Sequence, residues 1–488
     1  MDLSYRSPIH SIKTLDRLSR RQVLCWALAT TAAIQTASGR AASPSARRLQ
    51  QPIDIAQLET RTKVELEVDG QLRIKSKPAD ARQEASSAEL KAKASHDFYE
   101  IVAFQKNQQT AAARKYLTAK LENWVAGKEI RHSLRTDCDQ IRVLERDGVW
   151  EQYCPDQPLE RREVELLRTP INTMMLERLL PLEPARTDSQ WTVSEDHARH
   201  LFNLDAVFRS NLSVKVLSIE KGMVKLEING TVEGTANSVP TQLNIRGSAH
   251  AGLGSQCTMV QWLGVSIQEQ RDISHMEPGY SVTARLQVLR REEPGKVQVE
   301  ASELLDLAKR DDPTRWLVRL ESQQGRFATY VDRKWFTYVD GGEDSVLRMV
   351  ENNQVLAQCN LARLPNLAAG SQLTLEGMQA DIRKALGERF GEIVESTEKV
   401  TSNQLRLLRT EVSGTQEQIP LRWIYAHLSD DSGRRLALVY TMEASQAEKI
   451  ADSELQMLDS IQFLATPVKP STSEPAQVSA NPLQPASR

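Results

Sequence analysis

Thr62-Lys63-Val64-Glu65-Leu66-Glu67-Val68-Asp69-Gly70-Gln71-Leu72-Arg73-Ile74 decides the fold class. Apolar residues fall on every second position from Val64 to Val68, so a strand over 62–68 would bury one face and wet the other. Asp69-Gly70 then has the chemistry of a tight turn, and Gln71 to Ile74 returns, which predicts a hairpin. Ile141 to Arg146, Asp147-Gly148 and Val149 to Tyr153 repeat the device. Alternation also marks Val214 to Ile219, Met223 to Ile228, Gln242 to Arg246, Thr258 to Gln268 and Ser281 to Leu289. Strands with one apolar face suit an antiparallel sheet, so residues 53–305 read as a β-rich domain, a curled sheet or half-barrel. Short helices interrupt it. One runs from Asn172 to Leu180 and stops at Pro181; another runs from Glu195 to Phe208 behind the N-cap Ser194.

Beyond a linker at 306–314, residues 315–465 read differently. Strands are expected at Trp316 to Glu321 and Phe327 to Val331, and a hairpin at Val346 to Val350 and Val355 to Cys359 around Asn352-Asn353. Leu375, Met378, Ile382, Leu386 and Phe390 fall at helical spacing. Strands follow at Glu392 to Thr397, Leu405 to Thr410, Arg422 to His427 and Leu436 to Thr441, with Asp430-Asp431-Ser432-Gly433 turning between the last two. Ala447, Ala451, Leu455, Leu458 and Ile461 mark a closing helix. Sheet with helices at mid-point and end predicts an α+β sandwich, making the chain α+β overall.

The ends have other compositions. Residues 1–42 hold Arg17, Arg20 and Arg21, then an uncharged run from Val23 to Ala37, then small residues up to Ala41-Ala42. That is the layout of a secretory signal, and Ser19-Arg20-Arg21-Gln22-Val23-Leu24 resembles the twin-arginine signal, with Arg20 and Arg21 as its signal residues. The apolar run is short for a hydrocarbon core of ~30 Å, so no stable membrane span is expected in the mature chain. Residues 43–52 form a Ser/Ala/Arg/Pro linker, and 466–488, with five prolines and no aromatic residue, read as a disordered tail. The predicted location is therefore outside the cytoplasm, periplasmic or extracellular.

Across 488 residues, 40% are hydrophobic and 26% charged, which is an ordinary globular balance and excludes collagen-like and polytopic membrane classes. Without residues 1–42 the chain carries 56 basic and 62 acidic side chains, a net of −6. Such a surface gives no whole-chain reason to bind nucleic acid or anionic lipid. Cys138, Cys154, Cys257 and Cys359 show no C-x-x-C spacing, so zinc-ribbon and thioredoxin readings fail. A hairpin turning at Asp147-Gly148 would set Ile141 opposite Cys154 and leave Cys138 out of register. Isolated buried thiols are expected, although an oxidising compartment would permit a bridge.

Catalytic motifs are absent: no G-x-S-x-G, no H-E-x-x-H and no P-loop. Gly252-Leu253-Gly254-Ser255-Gln256-Cys257 lacks the third glycine of a dinucleotide loop and reads as a turn. His197 and His200 share a helix face, but two side chains are half a metal site, and a solvated surface explains them. His250 and His275 read as structural or solvent-facing. Asp430-Asp431 reads as a solvated turn, and Arg161-Arg162-Glu163 as wet surface. Trp150, Trp262, Trp335 and Trp423 read as core or half-exposed packing.

The pieces Ala112-Ala113-Arg114-Lys115-Tyr116, Cys154-Pro155-Asp156-Gln157-Pro158-Leu159, Glu177-Arg178-Leu179-Leu180-Pro181, Leu204-Asp205-Ala206-Val207, Gly230-Thr231-Val232-Glu233-Gly234 and Glu277-Pro278-Gly279 give residues 111–289 a resemblance to a family of exported bacterial proteins of uncharacterised activity. Trp423-Ile424-Tyr425, Ser432-Gly433 and Ser460-Ile461-Gln462-Phe463 make the C-terminal part similar to the Mog1/PsbP-like sandwich. The first part also resembles the clamp of periplasmic lipoprotein carriers. None of these implies a catalytic residue or a cofactor. The expectation is an exported, non-enzymatic binding or scaffold protein of the cell envelope, with an unknown protein as its partner and no nucleic acid. The alternative is a carrier of an apolar small molecule such as a lipid, and lower still a metal-dependent enzyme using His197 and His200.

Overall fold

The computed structural model describes residues 57–74, 86–105, 108–146, 148–181, 183–253, 258–274, 278–340, 344–368 and 370–465. The signal with Arg20 and Arg21, the 43–52 linker, the 466–488 tail, Cys257 and His275 lie outside them.

The expected hairpin at Asp69-Gly70 does not form. Gln57–Ile74 is one continuous 18-residue strand. It pairs antiparallel with Ser86–Gln105 on one side and Gly279–Glu292 on the other, and Gly70 sits in register between Leu90 and Val282. Two long neighbours complete the ladder through the dipeptide, and a turn there would leave both without partners. Gly70 serves close approach instead: a β-carbon on it would lie 2.6 Å from the Val282 α-carbon. The alternation itself holds, with Val64, Leu66, Val68 and Leu72 all buried.

This strand is central in an antiparallel sheet of thirteen strands. The sheet starts at Val149–Tyr153 and ends at Gln190–Thr192 without closing, so it is not a barrel. The hairpin Gln140–Arg146 and Val149–Tyr153 is present as the sequence predicts. Ser86–Gln105 and Gln108–Val125 are long strands that periodicity left unassigned. Their inward positions include Ala88, Ala92, Ala94, Ala112 and Ala119. Alanine is depleted in strands, so it gives little period-2 signal, yet it lets neighbouring segments approach closely.

The sheet's apolar face is covered by the chain itself. Helix Arg161–Leu167 and the 3-10 turn Thr173–Leu179 place Leu166, Leu167, Met174, Met175 and Leu176 in one cluster with Leu66, Leu226, Ile245, Leu263 and Leu286. Asn172 caps the 3-10 turn, accepting from the Met174 N–H at 3.2 Å. The next helix begins as expected behind Ser194 but ends at Leu201. Asn203 adopts a left-handed φ of 52° and turns the chain, so Ala206–Ser210 becomes a strand. Helix Ala301–Ala308 spans the expected boundary at 305/306. It lies over the opposite face, where Leu304 and Trp316 meet Ile101, Ala113 and Tyr153.

The C-terminal residues form two further sheets. A small one orders Gln462–Phe463, Phe327–Asp332, Leu317–Ser322 and Leu159–Glu160 side by side. Its last strand comes from the N-terminal half and pairs parallel with Val318 and Arg319. A seven-stranded antiparallel sheet runs from Trp335–Asp340 to Phe390–Val400. Helix Leu375–Leu386 packs on Leu408, Val412 and Trp423, whereas Ile450, Met457 and Leu458 of helix Ala447–Ser460 join Leu407, Ile424 and Tyr440. Adjacent strand residues point to opposite faces, so the helices cover opposite faces. Among the described residues no helix is long and apolar enough to cross a membrane.

Replacing Gly70 by alanine is expected to lower unfolding stability by about 1–3 kcal/mol, because the new methyl meets backbone atoms of Ser281 and Val282 that cannot rotate away. Urea unfolding checks this; an unchanged midpoint would show that the strand relaxes there.

Candidate functional site: a cleft at the junction of the sheets

The hairpin turning at Gly148 (φ 79°) places Arg146, Trp150, Glu151 and Gln152 on the strands at one edge of the large sheet. Opposite them, the link between Phe327–Asp332 and Trp335–Asp340 presents Arg333 and Lys334. A cleft of about 680 Å³ lies here, floored by the large sheet and by the segment from Glu165 to Asn172.

Charge pairs tie its two walls together. Glu151 Oε1 accepts from Arg168 Nη2 at 2.7 Å, and its Oε2 accepts from Arg333 Nη1 at 2.5 Å. Arg333 Nη2 donates to the Gln152 carbonyl at 2.5 Å. Arg146 Nη2 donates to Asp332 Oδ2 at 3.1 Å, and Lys334 Nζ to Glu351 Oε1 at 2.6 Å. Arg161 Nη2 holds the same link from behind, donating to the Arg333 and Trp335 carbonyls at 2.9 and 2.6 Å. The guanidinium groups of Arg146 and Arg333 stack over Trp316 at 5.4 and 5.6 Å, within cation–π range.

Burial alone would push the Glu151 carboxyl up; Arg168, Arg333 and Arg146 outweigh it and hold the group down at about 2. Burial likewise pulls the Arg333 guanidinium down, opposed by Glu151. Glu151 is thus a fixed anion among cations. A general acid needs a proton to give near its working pH, and this carboxylate has none. Arg333 Nε is buried and has no hydrogen-bond partner among the described residues.

A polar network continues under the floor. Arg114 Nε donates to Glu100 Oε1 at 2.6 Å, and its Nη2 to Thr173 Oγ1 at 3.1 Å. Its guanidinium lies 4.8 Å from the Phe98 ring centre, and His96 meets Tyr116 edge-on at 6.0 Å. Towards the rim, Glu269 accepts from Arg271 at 2.7 Å and from the Tyr280 hydroxyl at 2.8 Å.

The residues that sequence singled out lie mostly elsewhere. His197 and His200 do share helix Glu195–Leu201, but the His200 ring is taken: Nδ1 accepts from Trp150 Nε1 at 3.2 Å and Nε2 meets Arg199 Nη2 at 2.7 Å. Among the described residues no three His, Cys, Asp or Glu side chains form a metal-ligand group. His250 stacks on Trp262 at 4.9 Å. Asp430 fastens its own turn by accepting from Ser432 and Arg434, while Asp431 is exposed. Trp150, Trp335 and Trp423 are buried and Trp262 is half-buried. One expectation is corrected in part. Arg161-Arg162-Glu163 is wet surface only at Arg162: Arg161 is half-buried, and Glu163 is 2% exposed, paired with the Arg135 guanidinium at 2.8 Å. Its partner stands 28 positions away, beyond any local charge pattern. Cys138, Cys154 and Cys359 are free, buried thiols. Arg168, Arg333 and Glu151 were missed. Each is a single charged residue far from its partner in sequence, and nothing local marks it.

The buried network makes acid sensitivity measurable. Burial, then the nearby Arg114 charge, pulls His96 from 6.5 down to about 4. Burial does the same to His427, with Arg435 and Arg406 adding to it. Between those values the unfolded chain binds protons that the folded chain refuses, so stability falls as pH drops from 6.5 towards 4. Each histidine is expected to contribute about 3 kcal/mol to that loss. Urea midpoints at pH 7, 5.5 and 4.5 should fall in that order, and His96→Phe should flatten the slope. Equal midpoints would contradict the buried, neutral state of both rings.

No family model matches the chain, and no curated protein matches it in sequence. Among solved structures, the chain is similar to a cyanobacterial PsbP from Synechocystis (11% identity, 30% of this chain, 92% of that one, TM-score 0.25). It is also similar to the Ran-binding protein Mog1p of Saccharomyces cerevisiae (10% identity, 30% of this chain, 95% of that one, TM-score 0.24). Over 49% of its length it is similar to 26% of lipovitellin, at 8% identity and a TM-score of 0.28.

Proposed function

We propose that this chain is an exported, non-enzymatic binding protein of the cell envelope, and that the cleft beside Arg333 receives a polar ligand carrying a carboxylate or phosphate. The observation that carries the reading is the cleft's lining. Among its described residues six are basic (Arg114, Arg146, Arg168, Arg271, Arg333 and Lys334) and five are acidic (Glu151, Glu165, Asp205, Glu269 and Glu351). Glu100 and Asp332, beside that lining, pair with Arg114 and Arg146, so what favours an anion is the Arg333 Nε, a buried donor without a hydrogen-bond partner among the described residues. Satisfying that donor would favour an anionic group. Preformed guanidinium groups held by carboxylates suit recognition more than proton transfer, because neither partner titrates near neutrality.

A carrier of an apolar ligand has less support. The sheet's apolar face, where an acyl chain would lie, is occupied by Leu166, Met174, Met175 and Leu176. Export rests on the Arg20-Arg21 signal alone.

Thermal unfolding of the full chain with inorganic phosphate, citrate or oleate tests the reading. Phosphate or citrate is expected to stabilise it, by about 2.7 kcal/mol at a hundred times the dissociation constant. Arg168→Gln and Lys334→Gln should lose that increment. Stabilisation by oleate alone would favour the carrier, and turnover of a hydrolase substrate panel would refute the non-enzymatic reading. For export, R20K with R21K should retain a fused reporter in the cytoplasm; undiminished export would refute the twin-arginine route.

A further inference from the structure

We propose that the outer face of the large sheet binds a β-linked glycan of uncharged sugars, with the rings of Trp262 and His250 as the platform on which a sugar stacks. The inference stands apart from the binding role of the cleft, whose lining includes neither ring.

Strand alternation decides which side chains reach this face. Ala249, Ala251, Leu263 and Val288 are buried in the core, so His250, Trp262 and Leu289, next to them in sequence, point the other way. Register then aligns Lys225, His250, Trp262, Leu289 and Lys63 as one rung across five strands. The His250 and Trp262 rings lie 4.9 Å apart with 40° between their planes, and both are half-buried, so each keeps surface in water. Leu289 beside them is 52% exposed. Two residues along the same strand, Gly264 makes room for the indole: a β-carbon there would lie 2.7 Å from Trp262 Cη2. The glycine thus lets the ring lean along the sheet instead of standing away from it. Helix Ala301–Ala308 covers this side of the sheet elsewhere, over Ile101, Ala113 and Tyr153.

The surroundings of the rings set the chemistry of the occupant. The next rung is Ser248, Gly264 and Gln287, and the one after it Arg246, Ser266 and Arg285. Hydroxyl, amide and guanidinium groups therefore border an aromatic pair. A pyranose has the matching two kinds of surface. Its ring C–H groups are attracted to the negative face of an aromatic ring, and its hydroxyls both donate and accept. A broad open sheet suits an extended chain, which β-1,4 linkage gives, more than a coiled one. The charges on this face are largely spent on each other. Lys63 pairs with Asp97 at 3.2 Å, Arg285 with Asp69 at 3.7 Å, and Lys93 with Glu67. Such pairing offers little to a polyanion. Two rings and one leucine are also a small apolar area for an acyl chain or a stable protein interface.

Isothermal titration of the full chain with cellohexaose and with chitohexaose tests the proposal. At least one of them is expected to bind saturably at concentrations up to about 10 mM. Trp262→Ala should weaken that binding by roughly tenfold or more, whereas Trp262→Tyr, which keeps a ring, should retain most of it. Gln287→Ala, an exposed change beside the rings, should also lower the affinity, and it carries the test if the Trp262→Ala chain does not fold. Inorganic phosphate should leave the sugar bound, because the cleft is separate. Absence of binding by both sugars, unchanged affinity in the Trp262 and Gln287 variants, or displacement by phosphate would overturn the proposal. So would Trp262-dependent binding of phosphatidylglycerol vesicles with neither sugar bound, which would assign the face to a membrane.

Discussion

The junction between the large sheet and the C-terminal sheets depends on Arg333. Its guanidinium is 5% exposed, and two of its nitrogens are committed across the boundary, to Glu151 and to the Gln152 carbonyl. A cation that deep is tolerated only when a carboxylate and dipoles replace its lost water. Glu151 supplies that compensation and is itself kept ionised by Arg168 and Arg146 as well. Removing Glu151 leaves the buried Arg333 charge uncompensated, and removing Arg333 takes away the one bond by which Glu151 reaches across the boundary, so the hairpin at 140–153 and the link at 332–335 are held in one arrangement. The cleft exists because these segments meet through charged groups, which leave space, rather than through close-packed apolar ones.

This junction is reinforced by a chain path that crosses it more than once. Leu159–Glu160 leaves the large sheet to become the edge of the small one, and helix Arg161–Leu167 follows at once, with Arg161 grasping the 333–335 backbone. One apolar cluster runs from Leu66 and Leu286 through Val318 and Phe327 to Trp335 and Tyr440. A cleft built on such a junction is positioned by both sides, which is the preorganisation that binding without large rearrangement requires.

Much of the strand content was legible because large apolar residues alternate with polar ones from Met223 to Ile228, Thr258 to Gln268 and Ser281 to Leu289. Legibility failed where one local signal has two physical outcomes. The chain reverses at Gly148, whereas Asp69-Gly70 runs straight through, because only the second is flanked on both sides by strands that complete its ladder. The long strands over 86–125 were unreadable because alanine stands where larger residues would have marked the period. At the cleft the limit is of another kind. Glu151 and Arg333 are 182 positions apart, and neither has a motif around it. The histidines that spacing did mark turn out to serve local packing, with His200 held between Trp150 and Arg199.

The most direct measurement is a double-mutant cycle between Glu151→Gln and Arg333→Met, read by urea unfolding of the full chain at neutral pH. If the buried pair holds the junction, Arg333→Met alone costs about 3–5 kcal/mol. The double variant then loses less than the sum of the singles, by about 1–3 kcal/mol. Single losses below about 0.5 kcal/mol that simply add would show that the junction is held by its apolar cluster alone and that the account of the cleft is wrong.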